Sequence, residues 1–179
     1  MSRYRPPRPK SSPYITKTGY DCLQNELTHL WKVKRPEVTK KVSEAAAQGD
    51  RSENAEYIYG KKQLREIDGR IGFLSRRLDI LQVIEQIPTD RCKVFFGAWV
   101  TLEDQHGETH KYRIVGADEI DPTLGYISID APLARSLIGK GIDDIVSISP
   151  PKQESAPRIL EIGQAPKISE YSITNIEYK

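Results

Sequence analysis

Carboxylates are concentrated in one short stretch of the chain, residues 44–56. Glu44, Asp50, Glu53 and Glu56 lie there, and Arg51 is the only basic residue among them. Carboxylate oxygens are the ligands that Mg²⁺ prefers, and a metal-bound water is a common nucleophile in phosphodiester hydrolysis. This stretch is therefore the strongest candidate for chemistry, provided that the fold presents it to a partner.

The same residues also have a structural interpretation. Gly49 suits the left-handed residue that ends a helix. Asp50 and Glu53 have the spacing of a capping box, in which two side chains satisfy the first amides of a helix. Spacing alone favours the cap, and the two roles are compatible.

Two helical patterns flank the acidic stretch. From Thr16 to Gln48, apolar residues recur at steps of three and four, which is typical of an amphipathic helix. Pro36 interrupts this run because it lacks a backbone donor and clashes with the preceding turn. We expect a kink near residues 34–35, with Pro36 opening the next helical segment.

The second pattern runs from Ala55 to Ile84 and has the apolar spacing of a coiled-coil seam. Folding the chain about residue 51 places Trp31 opposite Ile71 and Leu27 opposite Leu74. The sequence therefore predicts an antiparallel helical hairpin whose tip is residues 48–57. Arms of about 30 residues would give it a length of about 45 Å.

In the second half of the chain, apolar residues alternate with polar ones at a period of two. This pattern predicts β-strands, and together with the helices it predicts an α+β fold. Asp130 and Pro132 would begin a short helix over residues 131–138, as cap and first-turn residue. The expected strands of this antiparallel sheet are residues 94–102, 111–115, 126–130, 145–148 and 171–178.

The predicted domain organisation follows from these patterns. Residues 1–13 are a basic, proline-rich tail expected to be disordered, residues 14–87 the hairpin, residues 88–92 a linker and residues 93–179 the sheet domain. Residues 150–167 have the character of an insertion before the last strand.

Bulk properties narrow the class of protein. Residues 1–87 hold 17 basic and 11 acidic residues, a net charge of +6, whereas residues 88–179 hold 10 and 14, a net charge of −4. A basic first half indicates an anionic partner such as nucleic acid. Cys22 and Cys92 are expected to be reduced thiols, and we expect a cytoplasmic monomer without a membrane partner.

Several long motifs, in one order, resemble the Gre family of bacterial transcript-cleavage factors, nearer its B type than its A type. They are residues 35–42 (RPEVTKKV), 49–57 (GDRSENAEY), 61–68 (KKQLREID), 94–100 (VFFGAWV), 112–116 (YRIVG), 126–130 (YISID) and 175–178 (NIEY).

This resemblance implies a coiled coil followed by a domain similar to FK506-binding proteins. It implies a factor that is not itself an enzyme, but enters the secondary channel of RNA polymerase and stimulates hydrolysis of backtracked RNA. Asp50 and Glu53 would then help polymerase to hold a second catalytic Mg²⁺. The docking residues would be Ser128, Asp130 and Pro132. The alternatives are a channel binder without chemistry, which only modulates or inhibits polymerase, and a structural coiled-coil adaptor.

Basic residues follow the acidic stretch along the second helix. Lys61, Lys62 and Arg65, with Arg51 before them, would form a strip that holds the 3′ end of the backtracked nascent RNA through its phosphates. The alternative is an ordinary solvated helix face.

Overall fold

The computed structural model of the chain describes residues 11–47, 54–86, 88–148 and 169–178. Lys17–Val83 form one compact unit, and the described residues of 1–16 and 84–179 form the other. The first unit is helical and the second is built on a sheet with a short helix, so the α+β prediction is confirmed.

The helical unit is an antiparallel hairpin. Its first arm ends in α2 and its second arm is α3, and the two arms pack along their length. Its segments are α1 (Lys17–His29), a π-helix (Leu30–Lys34), α2 (Arg35–Ala47) and α3 (Ala55–Leu78).

The interruption expected at Pro36 is a π-helical turn. The backbone amide of Arg35 donates to the carbonyl of Leu30, five residues earlier. This wider turn lies directly before Pro36, which has no amide to continue an α-helical ladder. The first arm therefore continues from α1 through the π turn into α2.

A narrow apolar seam joins the two arms. Val38, Ile67 and Ile71 are buried in it. The half-buried residues packed against them are Leu27, Leu30, Val42 and Leu64.

The predicted pairing of Trp31 with Ile71 is wrong, because Trp31 is 56% exposed. Leu30 packs against the seam instead. Trp31 carries the Arg35 guanidinium over its ring at 5.6 Å. The extra residue in the π turn changes which side chain faces the second arm.

The second arm is also shorter than predicted. α3 ends at Leu78, so Leu81 and Ile84 do not continue its seam. The chain forms the short strand β2 (Gln82–Val83) there, and Tyr14–Ile15 form β1. A few apolar residues at the end of a helix fit a short strand equally well, so periodicity alone misplaced this boundary.

Ion pairs join the arms at the edges of the seam. Arg35 Nε lies 2.7 Å from Asp68 Oδ1. Arg70 donates to both carboxylate oxygens of Glu26, at 2.7 and 2.8 Å, and its hydrogen bond lowers the pKa of that carboxyl. Exposed pairs such as these contribute at most about 1 kcal/mol each, so they set the register more than the stability.

The second unit contains a five-stranded sheet of order β5-β4-β3-β7-β6. Three strand pairs are antiparallel as predicted, but β4 and β5 are parallel, so the described sheet is mixed. The strands are β3 (Trp99–Asp104), β4 (Thr109–Val115), β5 (Tyr126–Ser128), β6 (Ile145–Ile148) and β7 (Ser169–Glu177).

One face of the sheet is covered by α4 (Pro132–Leu137). Alternate residues of the central strands point into this core, which is why Val100 and Leu102 are fully buried. The other members of the core are Val94, Ala98, Ile114, Ala134, Leu137, Val146 and Ile173.

The strand predicted over residues 94–102 begins only at Trp99. Gly97 has a φ of +84°, which turns the chain before the strand. Val94 nevertheless stays fixed: its amide donates to the Lys140 carbonyl at 2.8 Å, and its carbonyl accepts from the Gly139 amide at 2.8 Å.

Two further expectations concern the thiols and membranes. Cys22 and Cys92 are both free and exposed, as predicted. No helix in the described ranges is long and apolar enough to cross a bilayer. The predicted insertion, residues 150–167, lies outside the described residues.

The approach of the two arms depends on a glycine. A Cβ on Gly60 would lie 2.6 Å from Val42 Cγ2, whereas a Cβ on Gly69 would meet nothing within 4 Å.

Gly60→Ala should lower the free energy of unfolding by about 1 kcal/mol, because the clash outweighs the gain in helix propensity. Gly69→Ala, the matched control, should raise it by about 0.5–1 kcal/mol. Urea unfolding followed by helical circular dichroism measures both, and equal stabilisation by the two variants would contradict the close approach.

Candidate functional site

The turn end of the hairpin is held by a single side chain. Asn54 precedes α3, and its Oδ1 accepts a hydrogen bond from the Tyr57 amide at 3.1 Å. Its Nδ2 donates to the carbonyl of Ala45 in α2 at 2.9 Å. One amide therefore caps the second arm and ties it to the end of the first.

The connection between the arms is residues 48–53, and it contains Asp50, Arg51 and Glu53. These three predicted site residues lie outside the described part of the chain. The helices on either side end at Ala47 and begin at Ala55, so the sequence places all three in the link between two antiparallel helices.

The capping interpretation of Asp50 and Glu53 is wrong, because Asn54 is the N-cap of α3. Asparagine is as good a cap as aspartate, and this signal was present in the sequence. The Asp50–Glu53 spacing imitates a capping box, so spacing alone points to the wrong cap. The two carboxylates are thus not required for the helix start.

The predicted basic strip lies on the exposed surface of α3. Lys61, Lys62 and Arg65 are all exposed. The Lys61 ammonium lies 5.4 Å from the centre of the Tyr57 ring, and Arg65 Nε donates to the Lys61 carbonyl at 3.4 Å. The described part of the chain offers none of the three a carboxylate partner, so their charges are available for phosphates.

A shallow groove of about 360 Å³ lies between α2 and α3 near the turn. Tyr59 is 70% exposed on its rim. The lining residues are Val38, Lys41, Glu44, Ala45, Glu56, Tyr59, Gly60 and Gln63.

The predicted docking residues lie together where β5 leads into α4. Ser128 is buried, and its Oγ accepts from the Asp130 amide at 3.1 Å. Pro132 is exposed in the first turn of α4. Asp130 does not cap this helix as predicted: the N-cap is Ala131, which makes no side-chain bond. Ser128 therefore shapes the turn, and Asp130 and Pro132 reach the surface.

The Asp130 carboxylate is held by the beginning of the chain. Ser12 donates to it from both its hydroxyl and its amide, and these bonds, with a smaller effect from Arg135, lower the pKa of Asp130. A lowered pKa means that the stabilisation is present above the ordinary pKa and is lost as the pH falls through the lowered value. Ser12 belongs to the tail predicted to be disordered; residues 1–10 lie outside the described residues.

Another group of potential ligands lies in the β3–β4 turn, where Asp104, Glu108 and His110 come close together. Asp104 Oδ1 accepts from the amides of His106 and Glu108 at 2.8 and 2.9 Å. The Glu108 amide is the main cause of the lowered pKa of Asp104. These bonds form the turn, which accounts for the position of Asp104 without a metal.

Comparisons with known proteins identify the family of the chain. Residues 13–83 match the family described as transcription elongation factor, N-terminal, and residues 89–164 match its GreA/GreB C-terminal counterpart. The chain is 57% identical to transcription elongation factor GreB of Pseudomonas aeruginosa over 93% of this chain and 99% of that protein. It is 61% identical to GreB of Haemophilus ducreyi over 78% and 86%. A solved structure of the transcription factor Gfh1 is 23% identical, with 91% and 96% covered and a TM-score of 0.40.

Both halves of the chain thus match domains of transcription elongation factors. The chain belongs to the GreA/GreB family, and the relatives just described carry the name GreB.

The role assigned to Asn54 can be measured. Asn54→Ala removes the cap and the bond to Ala45, and should lower the free energy of unfolding by about 1–2 kcal/mol. Asn54→Asp keeps the acceptor but loses the Nδ2 donor, so it should cost less than Asn54→Ala. Urea unfolding compares the two, and a loss under about 0.3 kcal/mol for Asn54→Ala would contradict the cap.

Proposed function

We propose that this chain binds RNA polymerase at its secondary channel and stimulates endonucleolytic cleavage of backtracked nascent RNA, which rescues arrested complexes. The observation that carries the proposal is the antiparallel pair α2 and α3, tied together by Asn54, between which the sequence places Asp50 and Glu53. Membership of an elongation-factor family supports polymerase as the partner. The factor acts as a monomer in the cytoplasm.

Asp50 and Glu53 supply the chemistry in this proposal. Carboxylate oxygens suit Mg²⁺, which keeps several waters and needs only one or two protein carboxylates. When held between polymerase and these two side chains, Mg²⁺ provides charge stabilisation and a reactive water for phosphodiester hydrolysis. Two acids alone form no cage, so the isolated chain should bind the ion weakly. The chain is then an activator of polymerase's own hydrolysis, not an enzyme by itself.

The N-cap of α3 is neither Asp50 nor Glu53. Asn54 supplies the cap of α3, so the start of this helix does not require a carboxylate at residue 50 or 53. Their conservative replacement should therefore leave the hairpin intact.

Lys61, Lys62 and Arg65 hold the RNA in this proposal, together with Arg51. The first three are exposed on α3 in the turns that follow the acidic link, without described carboxylate partners. A phosphate backbone passing the acids toward α3 would meet these cations. Such contacts are electrostatic and independent of base sequence, as extruded RNA of any sequence requires.

Ser128, Asp130 and Pro132 dock the factor on polymerase. Asp130 and Pro132 reach the surface beside each other, and buried Ser128 holds the turn that presents them. Docking and cleavage therefore use residues from different units of the chain.

The acids can be tested without disturbing the fold. Asp50→Asn with Glu53→Gln keeps size and polarity but removes both charges. This double variant should bind polymerase normally and lower the cleavage rate of a stalled elongation complex about 100-fold, because loss of a metal ligand should cost at least as much as loss of its supporting groups. Wild-type cleavage by the double variant would refute the metal role. It would leave a factor that occupies the channel without chemistry.

RNA gripping predicts a dependence on the length of the extruded segment. Lys61→Gln with Lys62→Gln should slow cleavage of complexes backtracked by many nucleotides more than those backtracked by one or two, because only the longer segment reaches the strip. Lys32→Gln with Lys34→Gln changes the charge equally on the other arm and serves as the control. An equal loss on short and long segments, or the same loss in the control, would contradict RNA gripping.

A further inference from the structure

The first described residues of the chain are fastened to the sheet unit at two points. Ser12 binds Asp130. Thr16 donates from its amide and its hydroxyl to the Glu119 carboxylate. Between them Ile15 is fully buried. We call residues 12–16 the N-terminal segment.

Ser12 controls the orientation of the Asp130 carboxylate. Its amide donates to Oδ2 at 2.8 Å and its hydroxyl donates to Oδ1 at 2.5 Å. Two donors on the two oxygens fix the carboxylate plane, which a single bond would leave free to turn. Arg135 Nη2 lies 3.6 Å from Oδ1 and contributes a weaker attraction.

The oriented Asp130 carboxylate can still accept further hydrogen bonds. An ionised carboxylate accepts about four hydrogen bonds, and Ser12 provides two. The Asp130 side chain is 28% exposed, and that of neighbouring Arg135 is 68% exposed. Asp130 therefore presents solvent with acceptor sites whose direction is already set. Such preorganisation lowers the entropy that a binding partner must remove.

We propose that Ser12 is a positioning residue of the polymerase-docking surface, which it builds by orienting Asp130 toward a donor on the partner. This inference rests on the docking role given to Asp130 in the proposed function. The partner group is an N–H donor or a cationic side chain, because the free sites of Asp130 are acceptors. Ser12 and Asp130 are 118 residues apart in the chain, so the docking surface is assembled from two distant segments.

A double-mutant cycle on polymerase binding tests the proposal. The full-length chain and its variants Ser12→Ala, Asp130→Asn and the double variant compete with a labelled wild-type factor for core polymerase. Ser12→Ala should weaken binding about three- to tenfold, which is the range of one ordinary hydrogen bond, because Ser12 orients Asp130 without contacting polymerase itself. Asp130→Asn should weaken it more. The double variant should be no weaker than Asp130→Asn within about twofold, because Ser12 acts only through Asp130.

Two further variants separate positioning from general loosening of the N-terminal segment. Thr16→Val removes the hydroxyl bond to Glu119 but leaves Ser12 and Asp130 intact, so it should bind within about twofold of wild type. Ser12→Thr keeps a hydroxyl and should retain most of the affinity that Ser12→Ala loses. Thermal unfolding of each variant confirms that the sheet unit is folded.

Distinct results would overturn the inference. Fully additive losses would mean that Ser12 acts independently of Asp130. Tighter binding by Ser12→Ala would mean that Ser12 competes with polymerase for the carboxylate. An equal loss in Thr16→Val would mean that only the attachment of the segment matters. If Asp130→Asn binds like wild type, the docking assignment in the proposed function also fails, whereas a loss confined to Asp130→Asn removes only the role of Ser12.

Discussion

A hairpin of two helices has one buried seam with which to hold its shape, and this constraint governs the helical unit. The buried cluster that joins its described arms consists of Val38, Ile67 and Ile71. The arms must therefore approach closely, which explains why Gly60 faces Val42 where any side chain would collide. The polar links at the edges, Arg35 to Asp68 and Arg70 to Glu26, define which residues meet.

The same constraint makes the turn end suitable for presenting charged groups. Asp50 and Glu53 belong by sequence to the connection between α2 and α3, and they lie outside the described residues. Asn54 makes the helix start independent of them, by capping α3 and binding Ala45 with one side chain. Cations then follow on the exposed surface of α3. The acids proposed to hold a metal and the cations proposed to hold phosphates are thus close together in the sequence.

The sheet unit, unlike the hairpin, is held together by contacts between distant parts of the chain. β7, near the C-terminus, lies between β3 and β6. The Tyr178 hydroxyl donates to the Lys93 carbonyl and accepts from the Phe95 amide. These bonds join the last described residues of the sheet unit to the residues that precede β3. In the N-terminal segment, Ser12 and Thr16 donate hydrogen bonds to the carboxylates of Asp130 and Glu119 in the same unit. The proposed docking surface thus depends on the N-terminal segment as well as on the β5–α4 turn.

Much of this organisation was predictable from local patterns. Helical periodicity identified both arms, Pro36 located the irregular turn, and alternation identified the strands. The boundaries were less accurate, since Leu81 and Ile84 fit a helix seam by spacing yet lie beyond α3. The two capping predictions failed because Asp50–Glu53 and Asp130 have capping patterns, while Asn54 and Ala131 occupy the cap positions.

The sequence by itself determined the elements and the charges they carry, because periodicity and turn chemistry are local properties of a chain. Tertiary structure alone decided that Leu30 rather than Trp31 packs on the seam, since the width of one π turn sets the direction of that face. It also decided that Ser12 binds Asp130. A hydrogen bond across 118 residues depends on how the whole unit folds, and no pattern within either segment encodes it.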